Sequence, residues 1–566
     1  MDKKTLIGFA VIFVILLLWM PLWNLFFPPP PAPLQSDKDS VVTAGETTSV
    51  ADTIARETAP ISMGAVDSAE VVVALAEPEK LVTIETEFLK VVLSSYGGTI
   101  REITLKKYPR YDTLPVTLIE VANKPQWASF GAMTLGYADK IPAFNSQNFA
   151  VEGGDMTLTP TDSTASVVFT HQIESGAKIV KTFVFHHADY LFDVKIDIYR
   201  PQDLGMKDGV TIGWFAPLEP TETDFNQDKE KLGGFFSMGG EVDQYRGGMK
   251  NGIMKKEATG PVDWIASRTK YFATVMMAQK PGNEVVVVGS QTKRTDPKSA
   301  SVDWEQYGIG MTYPVEDNMS LTFNVYAGPL DYEKLRELGH GLSGLVDMGW
   351  KLFRPFAIAI LWVLTMIHKA IPNYGLVIIV FSIVMKLVFW PLSQKSAKSM
   401  YKMKEIQPKL QEIREKFKND PSKMNAETMK AYKEFGVNPF GSCLPMLIQM
   451  PVFFALYSVL GNTIALRGAE FVFWIKDLSQ ADPSGKFLFG IGILPIIMGI
   501  AMFFQQKLTI TDPKQKMMVY LMPVLFTFLF SRWASGLVLY WTVFSVMGII
   551  EQWYMMRNLQ AESKTA

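Results

Sequence analysis

Cysteine is almost absent from this chain, because Cys443 is the only one among 566 residues. A single cysteine cannot form an intrachain disulfide, so the fold is not a disulfide scaffold. Charged residues are also scarce, at 20% of the chain, against roughly 25% in ordinary soluble proteins. The sequence contains no Walker A, HExxH or G-x-S-x-G motif, which argues against nucleotide hydrolysis and these forms of catalysis. No basic tract with interleaved aromatic residues indicates nucleic-acid binding.

Long apolar runs, by contrast, occur at the N-terminus and again after residue 355. Lys3 and Lys4 precede Leu6–Phe27, an uncharged run that is long enough to cross a bilayer. The run ends in aromatic residues and then Pro28–Pro31, without the small-x-small site of a cleaved signal peptide. We interpret it as an uncleaved membrane anchor with Lys3 and Lys4 in the cytoplasm. A cleaved signal peptide is the weaker alternative.

A linker and then a large β domain are predicted for the next 300 residues. Residues 28–80 are rich in proline and acidic side chains and poor in large apolar ones, which predicts a flexible linker. From Leu81 the apolar residues alternate with polar ones, as in half-buried antiparallel strands. Val285–Val288 predicts a fully buried strand. Turns are predicted at 96–98, 186–189 and 281–283. The domain's histidines are candidates for catalysis or metal binding, but they form no recognised motif, so a binding or spacing role is the better interpretation. They are His171, His186 and His187.

Loop charge determines how the later apolar blocks cross the membrane. Residues 393–440 carry eleven Lys or Arg and six Asp or Glu, so the positive-inside rule places this loop in the cytoplasm. This holds only if Pro355–Ile367, which is too short to span, lies along the outer membrane surface as an amphipathic helix. The predicted fold is a membrane α-helical bundle of six spans plus a large antiparallel β-sandwich domain outside. The predicted segments are an anchor (1–27), a linker (28–80), the β-sandwich (81–332), the surface helix region (333–372), span two (373–392), a basic helical hairpin (393–440), spans three to six (441–462, 487–505, 517–534 and 536–556) and a cytoplasmic tail (557–566).

Lys386 is the most informative residue in these blocks. A lysine at the centre of a membrane helix costs roughly 2.5–3.5 kcal/mol on insertion scales. Ser382 precedes it by one helical turn, so the two polar side chains share a face. We interpret them as lining a water-filled, positively charged cavity. The alternative is that Lys386 snorkels to the inner interface.

Other polar residues are candidate walls of the same cavity. Each can instead bond a carbonyl of its own helix, which is the simpler interpretation for any single one. The blocks hold no Asp or Glu before Glu551, near the inner end of the last block, so a proton-coupled pump is not indicated. The candidate wall residues are Gln449, Gln505, Gln506, Thr527, Ser531, Thr542 and Ser545.

The cytoplasmic loop shows a heptad seam that predicts two antiparallel helices. Its apolar residues are Met403, Ile406, Leu410, Ile413 and Phe417 on the first helix, with Met424, Thr428, Ala431 and Phe435 on the second. The helices are separated by a break at 419–422. The exposed basic residues are then free to meet anionic lipid or ribosomal RNA. We name as contacts Lys395, Lys398, Lys402, Lys404, Lys409 and Arg414.

Several longer stretches carry a family resemblance that covers essentially the whole chain. They are Val437–Pro439, Gly441–Pro451, Met522–Val524 and Ser535–Tyr540, with Trp264–Ala266 and Lys270–Thr274 in the β domain. Through them the chain resembles the YidC family of bacterial membrane protein insertases, in its Gram-negative six-span form. The resemblance implies a five-helix insertase core in the inner membrane with both termini in the cytoplasm, and a periplasmic β-sandwich. It implies no cofactor, no metal and no bond-making enzyme activity.

The resemblance also implies site residues and partners. The family's groove is hydrophilic, opens to the cytoplasm and lipid, and contains a positive residue that is usually Arg. Lys386 occupies that position here; it keeps the charge but lacks the planar fork of Arg. Ser382 corresponds to the family's groove Thr, and Trp541 to its substrate-contacting aromatic residue. The implied partners are nascent membrane proteins, the Sec translocon with its accessory subunits, the translating ribosome and membrane lipid.

The predicted function is therefore insertion and folding of nascent inner-membrane proteins, alone or with the Sec translocon. Two alternatives remain open from the residues alone. A solute transporter predicts inverted repeats and paired broken helices, which are not visible in the sequence. A membrane-tethered periplasmic protein that binds or modifies carbohydrate predicts catalytic groups within residues 81–330 and gives Lys386 no role.

Overall fold

The computed structural model describes residues 78–120, 131–136, 144–249, 252–297, 300–436, 444–487, 490–509 and 516–565. The predicted anchor, nearly all of the predicted linker and Cys443 lie outside these residues. The chain divides into two compact units, Met1–Leu75 and Ala76–Ala566, and every contact below lies within the second. That unit consists of a large β-sheet domain followed by a set of helices.

The β-sheet domain extends over residues 81–329. In the part of the chain that the structure describes, its strands are β1 Leu81–Glu85, β2 Leu89–Ser94, β3 Thr99–Pro109, β4 Pro115–Glu120, β5 Ala132–Gly136, β6 Ala150–Glu152, β7 Met156–Thr157, β8 Thr164–Gln172, β9 Lys178–His186, β10 Leu191–Tyr199, β11 Val210–Trp214, β12 Gly234–Met238, β13 Glu241–Tyr245, β14 Ile253–Arg268, β15 Phe272–Thr295, β16 Ser301–Tyr313 and β17 Asn318–Pro329.

Helices make up nearly all of the regular structure after residue 330. The described helices are α1 Phe225–Lys229, within the β domain, and then α2 Tyr332–Glu337, α3 Arg354–Ala370, α4 Tyr374–Lys416, α5 Pro421–Glu434, α6 Leu444–Asn462, α7 Ile493–Thr509, α8 Lys516–Phe530 and α9 Ser535–Thr565. Helix α3 contains the apolar run 355–367 that was predicted to be helical.

The alternating pattern of β10 becomes a buried and an exposed face. Phe192, Val194 and Ile196 are fully buried, while Lys195 between them is exposed. β10 pairs antiparallel with both β9 and β17. The predicted turn at 186–189 is confirmed, because it joins β9 to β10.

The predicted turn at 281–283 is wrong, since β15 runs through it without a break. The first part of β15 pairs with β17 and the part after Gly282 pairs with β16. A Cβ atom added at Gly282 would lie 3.1 Å from the Cβ of Met311. The Pro-Gly pair therefore marks the point where the strand changes its neighbour, and glycine permits the close approach. The predicted strand 285–288 is confirmed, with its first three valines buried.

A lysine inside the β domain holds two backbone segments together. Lys181 is fully buried, and its Nζ donates to the carbonyls of Gly97 at 2.7 Å, Gly98 at 3.2 Å and Met133 at 2.7 Å. Burial lowers the pKa of Lys181 to about 7, whereas three carbonyl acceptors favour the ammonium form. The side chain thereby satisfies carbonyls in the turn before β3 and in β5.

Two groups of contacts attach the β domain to the helices. The indole Nε1 of Trp264 donates to the carbonyl of His340 at 2.8 Å, and Arg268 donates to the carbonyl of Leu345. Lys231 forms an ion pair with Asp347 at 2.6 Å. These contacts bind the segment between α2 and α3 to β14 and to the loop before β12.

The second group reaches the loop that follows α6. Arg467 Nε donates to Glu222 at 2.7 Å, and both side chains are less than a tenth exposed. Asp228, fully buried, accepts from the backbone N–H groups of Thr221 at 2.7 Å and Lys270 at 3.0 Å. Burial raises the pKa of Glu222 and of Asp228, and Arg467 opposes this rise at Glu222. The β domain and the helices are thus joined by desolvated polar contacts as well as by apolar packing.

Lys181→Met should destabilise the β domain by about 3 kcal/mol or more, because it leaves three buried carbonyl groups without a hydrogen-bond donor. Hydrogen exchange of the full-length protein, followed in peptides from β2, β3 and β9, measures the loss of protection. Lys195→Met is the matched control, since Lys195 is exposed in the adjacent strand, and should stay within about 0.5 kcal/mol of the parent. Equal protection in Lys181→Met and the parent would contradict the bridging role.

Asp347 should make the domain contact acid-sensitive. Burial raises its pKa, but Lys231 and Arg268 overcome that effect and lower the pKa to about 2. A carboxyl with a lowered folded-state pKa adds stability above its unfolded value near 4 and loses it as pH falls toward 2. Asp347→Asn should lower the thermal unfolding midpoint at pH 5 and make little difference at pH 2. Asp243→Asn, at an exposed position, controls for loss of a surface charge; an equal loss at both pH values would contradict the assignment.

Candidate functional site: a buried ion pair between two long helices

Helix α4 begins at a side-chain cap and continues well past the predicted end of the second span. Asn373 accepts from the backbone N–H of Leu376 at 3.1 Å, and the helix runs from Tyr374 to Lys416. Pro391 and Pro408 lie inside it. The predicted boundary at 392 is therefore not a helix end, because the membrane-type segment and the first arm of the hairpin form one helix.

The predicted hairpin is present in the structure. Asp420 caps α5 by accepting from the backbone N–H of Lys423 at 3.1 Å. The seam is the cluster of Ile406, Leu410, Ile413 and Ala431, with Met403, Phe417, Met424 and Tyr432 against it. Phe435, predicted to lie in the seam, is instead 51% exposed. It follows the last residue of α5 as its C-cap, so it no longer lies on the helix face that forms the seam.

The basic residues named as contacts project from the first arm of this hairpin. All but Arg414, which is half-buried, are exposed: Lys395, Lys398, Lys402, Lys404 and Lys409. Lys409 lies 3.3 Å from Glu412, a partner three residues along the helix. Exposed pairs of this kind contribute little stability, so this pair holds Lys409 only weakly.

Lys386 faces a carboxylate in the last helix. Its Nζ lies 2.7 Å from Oε2 of Glu551, and the two side chains are 7% and 4% exposed. The same Nζ lies 4.4 Å from the ring centroid of Phe544, one face of which it contacts. The other carboxylate oxygen, Oε1 of Glu551, is buried and accepts no hydrogen bond from the described residues. Lys386 is therefore buried in the protein and held by helix α9, which favours a specific partner over snorkelling.

This ion pair changes what removal of Lys386 should do. From the sequence, removing an unpaired intramembrane charge is expected to leave the fold intact or more stable. In the structure, Lys386→Ala leaves Glu551 buried without its partner, and breaking a buried pair in this way typically costs about 3–5 kcal/mol. Sequence reasoning missed the partner, although Glu551 is the only acidic residue within predicted spans two to six. A single acid in these spans was the available signal for a partner of Lys386.

The hydroxyl groups of the predicted groove mostly bond to their own helices. Ser382 donates to the carbonyl of Ile378 at 2.6 Å and Thr542 to that of Val538 at 2.7 Å. Thr527 donates to the carbonyl of Pro523 at 2.8 Å. Each acceptor lies four residues earlier, so the simpler alternative holds for these three hydroxyls. Ser531 does the same, bonding the carbonyl of Thr527 at 2.6 Å.

The remaining predicted groove residues lie in contacts between helices. Gln449 on α6 donates to the hydroxyl of Tyr540 at 2.8 Å. Trp541 is half-buried and packs edge-on against Phe453, with ring centroids 5.3 Å apart. Ser545 is buried, at 1% exposure. The structure therefore places Gln449 and Trp541 in the packing between α6 and α9, while Lys386 joins α4 to α9.

Two glycines admit polar side chains from neighbouring helices. The side-chain amide of Gln505 on α7 fits against Gly548 on α9, where a Cβ atom would collide with it. The hydroxyl of Thr527 on α8 occupies the corresponding space over Gly499 on α7. Glycine at these positions lets helices that carry polar groups approach closely. Sequence reasoning did not identify these two glycines.

The histidines of the β domain do not form a cluster among the described residues. His186 Nε2 lies 3.1 Å from Asp193 Oδ2 in a surface pair, and His187 Nδ1 lies 3.1 Å from the carbonyl of Leu158. His171 stacks on Phe149. Among the described residues, no group of three or more His, Cys, Asp or Glu is arranged to hold a metal ion.

Fold and site together define a membrane protein with a large β-sheet domain. Tyr374–Lys416 and Ser535–Asn558 are long and apolar enough to cross a bilayer, and Ile493–Leu508 and Met517–Phe530 are shorter apolar helices. The two long helices carry Lys386 and Glu551. The class is thus an integral membrane protein whose long helices meet through a buried ion pair.

Comparison with known proteins identifies the family. The sequence model of the YidC periplasmic domain matches residues 81–363, and that of the 60Kd inner membrane protein matches residues 366–563. The membrane protein insertase YidC of Chlorobaculum parvum is 32% identical over 593 residues, covering 100% of this chain and 96% of that protein. Its counterpart from Syntrophus aciditrophicus is 32% identical, covering 99% and 100%. The chain belongs to the YidC family of membrane protein insertases, which makes it an inner-membrane protein with a periplasmic domain.

Among solved structures, an active YidC insertase with its first transmembrane domain resolved matches with a TM-score of 0.36 and 18% identity. The match covers 85% of this chain and 95% of that one.

Gly499→Ala should destabilise the contact between α7 and α8 by about 1–3 kcal/mol, since the added methyl group displaces the hydroxyl of Thr527. The thermal unfolding midpoint of the detergent-solubilised protein measures the effect. Gly461→Ala in α6 is the control, because a Cβ atom there meets open space, and should be neutral or slightly stabilising. Equal midpoints for Gly499→Ala and the parent would contradict the close approach.

Proposed function

We propose that this chain inserts nascent membrane proteins through a groove formed around Lys386, Ser382 and Glu551. The observation that supports this most directly is a buried ion pair at 2.7 Å between two apolar helices. Charged residues within membrane helices are costly and are retained where they contact a substrate path or one another. Family membership supports the activity, and the ion pair supports the assignment of the groove to this part of the helices.

The mechanism follows from the cost of moving polar groups through hydrocarbon. A polar groove that opens to the cytoplasm shortens the apolar barrier that a substrate's hydrophilic segment must cross. Lys386 binds an acidic side chain of that segment while the segment is desolvated. The apolar helix of the substrate then partitions into lipid, and its burial drives insertion without ATP.

Candidate walls of the groove come from the other helices. Gln505 and Thr527 fit over glycines of neighbouring helices. Trp541 presents an aromatic surface beside Phe453, which suits contact with an apolar substrate helix. The full proposed set is Lys386, Ser382, Gln449, Gln505, Thr527, Thr542, Ser545 and Trp541.

The six-span topology is part of the proposal. Spans two and six correspond to the apolar part of α4 and to α9, and spans three to five to α6, α7 and α8. Helix α3 lies on the outer membrane face, supported by exposed Phe356, Trp362 and Met366 beside buried Ala357 and Leu364. Both termini are then cytoplasmic. We assign a β-sandwich to the periplasmic domain. The first part of β15 pairs with β17 and its second part pairs with β16, so β15 contributes to two groups of strands, which share one apolar core.

The hairpin formed by the second half of α4 and by α5 is the proposed docking element for ribosome and lipid. Its exposed lysines carry the required charge. The Sec translocon and its accessory subunits are further proposed partners, through family membership. No feature of the described residues favours a solute transporter or a tethered carbohydrate-modifying protein.

The test uses proteoliposomes that contain the full-length protein and single-span substrates whose tails differ only in Asp versus Asn. Lys386→Arg should insert both like the parent, because the positive charge and its partner remain. The neutral pair Lys386→Met/Glu551→Gln avoids a stranded charge and should lower insertion of the acidic tail several-fold, with a smaller effect on the neutral tail. Lys369→Met, at an exposed position, is the control. Insertion of the acidic tail by the neutral pair at the level of the parent would remove Lys386 from the mechanism.

A further inference from the structure

The buried ion pair raises a question about how a substrate reaches Lys386. Its Nζ already has a carboxylate at 2.7 Å, and both side chains are nearly excluded from solvent. The pair has no net charge, so its attraction for an acidic segment at a distance is weak. An acidic side chain that binds Lys386 must therefore compete with Glu551 for the same ammonium group.

We propose that Glu551 is a specificity-determining residue of the groove, which occupies Lys386 at rest and is displaced by a substrate carboxylate. This inference rests on the proposed function and names the residue with which the substrate competes. Segments with a carboxylate replace Glu551, whereas neutral segments pass without disturbing the pair.

The surroundings of Glu551 fit a partner that can be exchanged. Only one of its carboxylate oxygens is paired, because Oε1 is buried without a hydrogen bond from the described residues. A carboxylate that is required only to stabilise the fold would be expected to have both oxygens satisfied. Each hydrogen bond that is missing makes the bound state of Glu551 easier to replace.

Neighbouring groups keep Lys386 in place while its partner changes. The ring of Phe544 lies 4.4 Å from Nζ and stacks on Tyr540, with centroids 5.7 Å apart. Tyr540 in turn accepts from Gln449 of α6. Lys386 therefore has a second, uncharged contact that remains when the carboxylate is exchanged. Gly548, one helical turn before Glu551, brings the amide of Gln505 to the same helix face.

A competitor and a purely structural partner give different results when Glu551 is weakened. Glu551→Gln removes the competing charge, so the ratio of acidic-tail to neutral-tail insertion should rise about threefold or more. The unmasked positive charge should also make that ratio fall as salt increases from 20 mM to 500 mM, whereas the parent's ratio changes little. Loss of a merely structural contact would lower insertion of both tails together and leave the ratio unchanged.

The experiment compares the parent, Glu551→Gln and Glu551→Asp in the same proteoliposome assay. Glu551→Asp keeps the charge but moves it away from Lys386 by one methylene group, so it should raise the ratio of acidic-tail to neutral-tail insertion less than Glu551→Gln does. If Glu551→Gln does not accumulate, the ratio measured for Glu551→Asp tests the inference. Glu470→Gln, at a carboxylate 65% exposed in the loop after α6, is the control and should match the parent.

An unchanged ratio in each Glu551 variant that accumulates would overturn the inference. The proposed function would still stand if the neutral pair Lys386→Met/Glu551→Gln loses its preference for acidic tails. If the neutral pair keeps that preference while the Glu551 variants do not differ from the parent, both proposals fail.

Discussion

Burial of opposite charges between two apolar helices is the constraint on which the helical part of this protein depends. Lys386 and Glu551 lie on α4 and α9, far apart in the sequence, and their charged atoms approach to 2.7 Å with almost no solvent access. Neither charge is tolerable alone in such a setting. The two helices must therefore pack in one register, and the Phe544 ring that contacts Lys386 restricts that register further.

A second set of desolvated charges connects this helical part to the β domain. Arg467 and Glu222 form a buried ion pair. Asp228 accepts hydrogen bonds from backbone N–H groups in two segments of the β domain. Tyr271 of the β domain donates to the carbonyl of Gly461 at the end of α6. Long-range polar contacts of this kind fix relative orientation more sharply than apolar packing does, because each depends on direction as well as distance. The periplasmic domain is thereby fixed to the end of a helix in the proposed core.

Period-two and heptad patterns identified most of the elements, because each reflects a face that must be buried. The strand at 191–199 and the seam around Leu410 follow directly. Sequence-based predictions were wrong where one local pattern is compatible with two different structures. Pro281 and Gly282 are typical of a turn, yet they mark a change of strand partner. The Lys386–Glu551 contact could not be predicted from the spacing of residues, because the sequence of each helix alone does not determine which face of α9 packs against α4.

Pairing also resolves a difficulty for the proposed groove, which requires a positive charge inside the membrane. A lysine without a partner would require water around it, and that water would have to leave whenever an apolar helix passes. An ion pair removes the requirement, because the charge is compensated while the groove is empty. When a substrate carboxylate enters, one carboxylate replaces another at the same ammonium, so the change in Coulomb energy is small. The proposed groove can then accept acidic segments without exposing a bare charge to lipid.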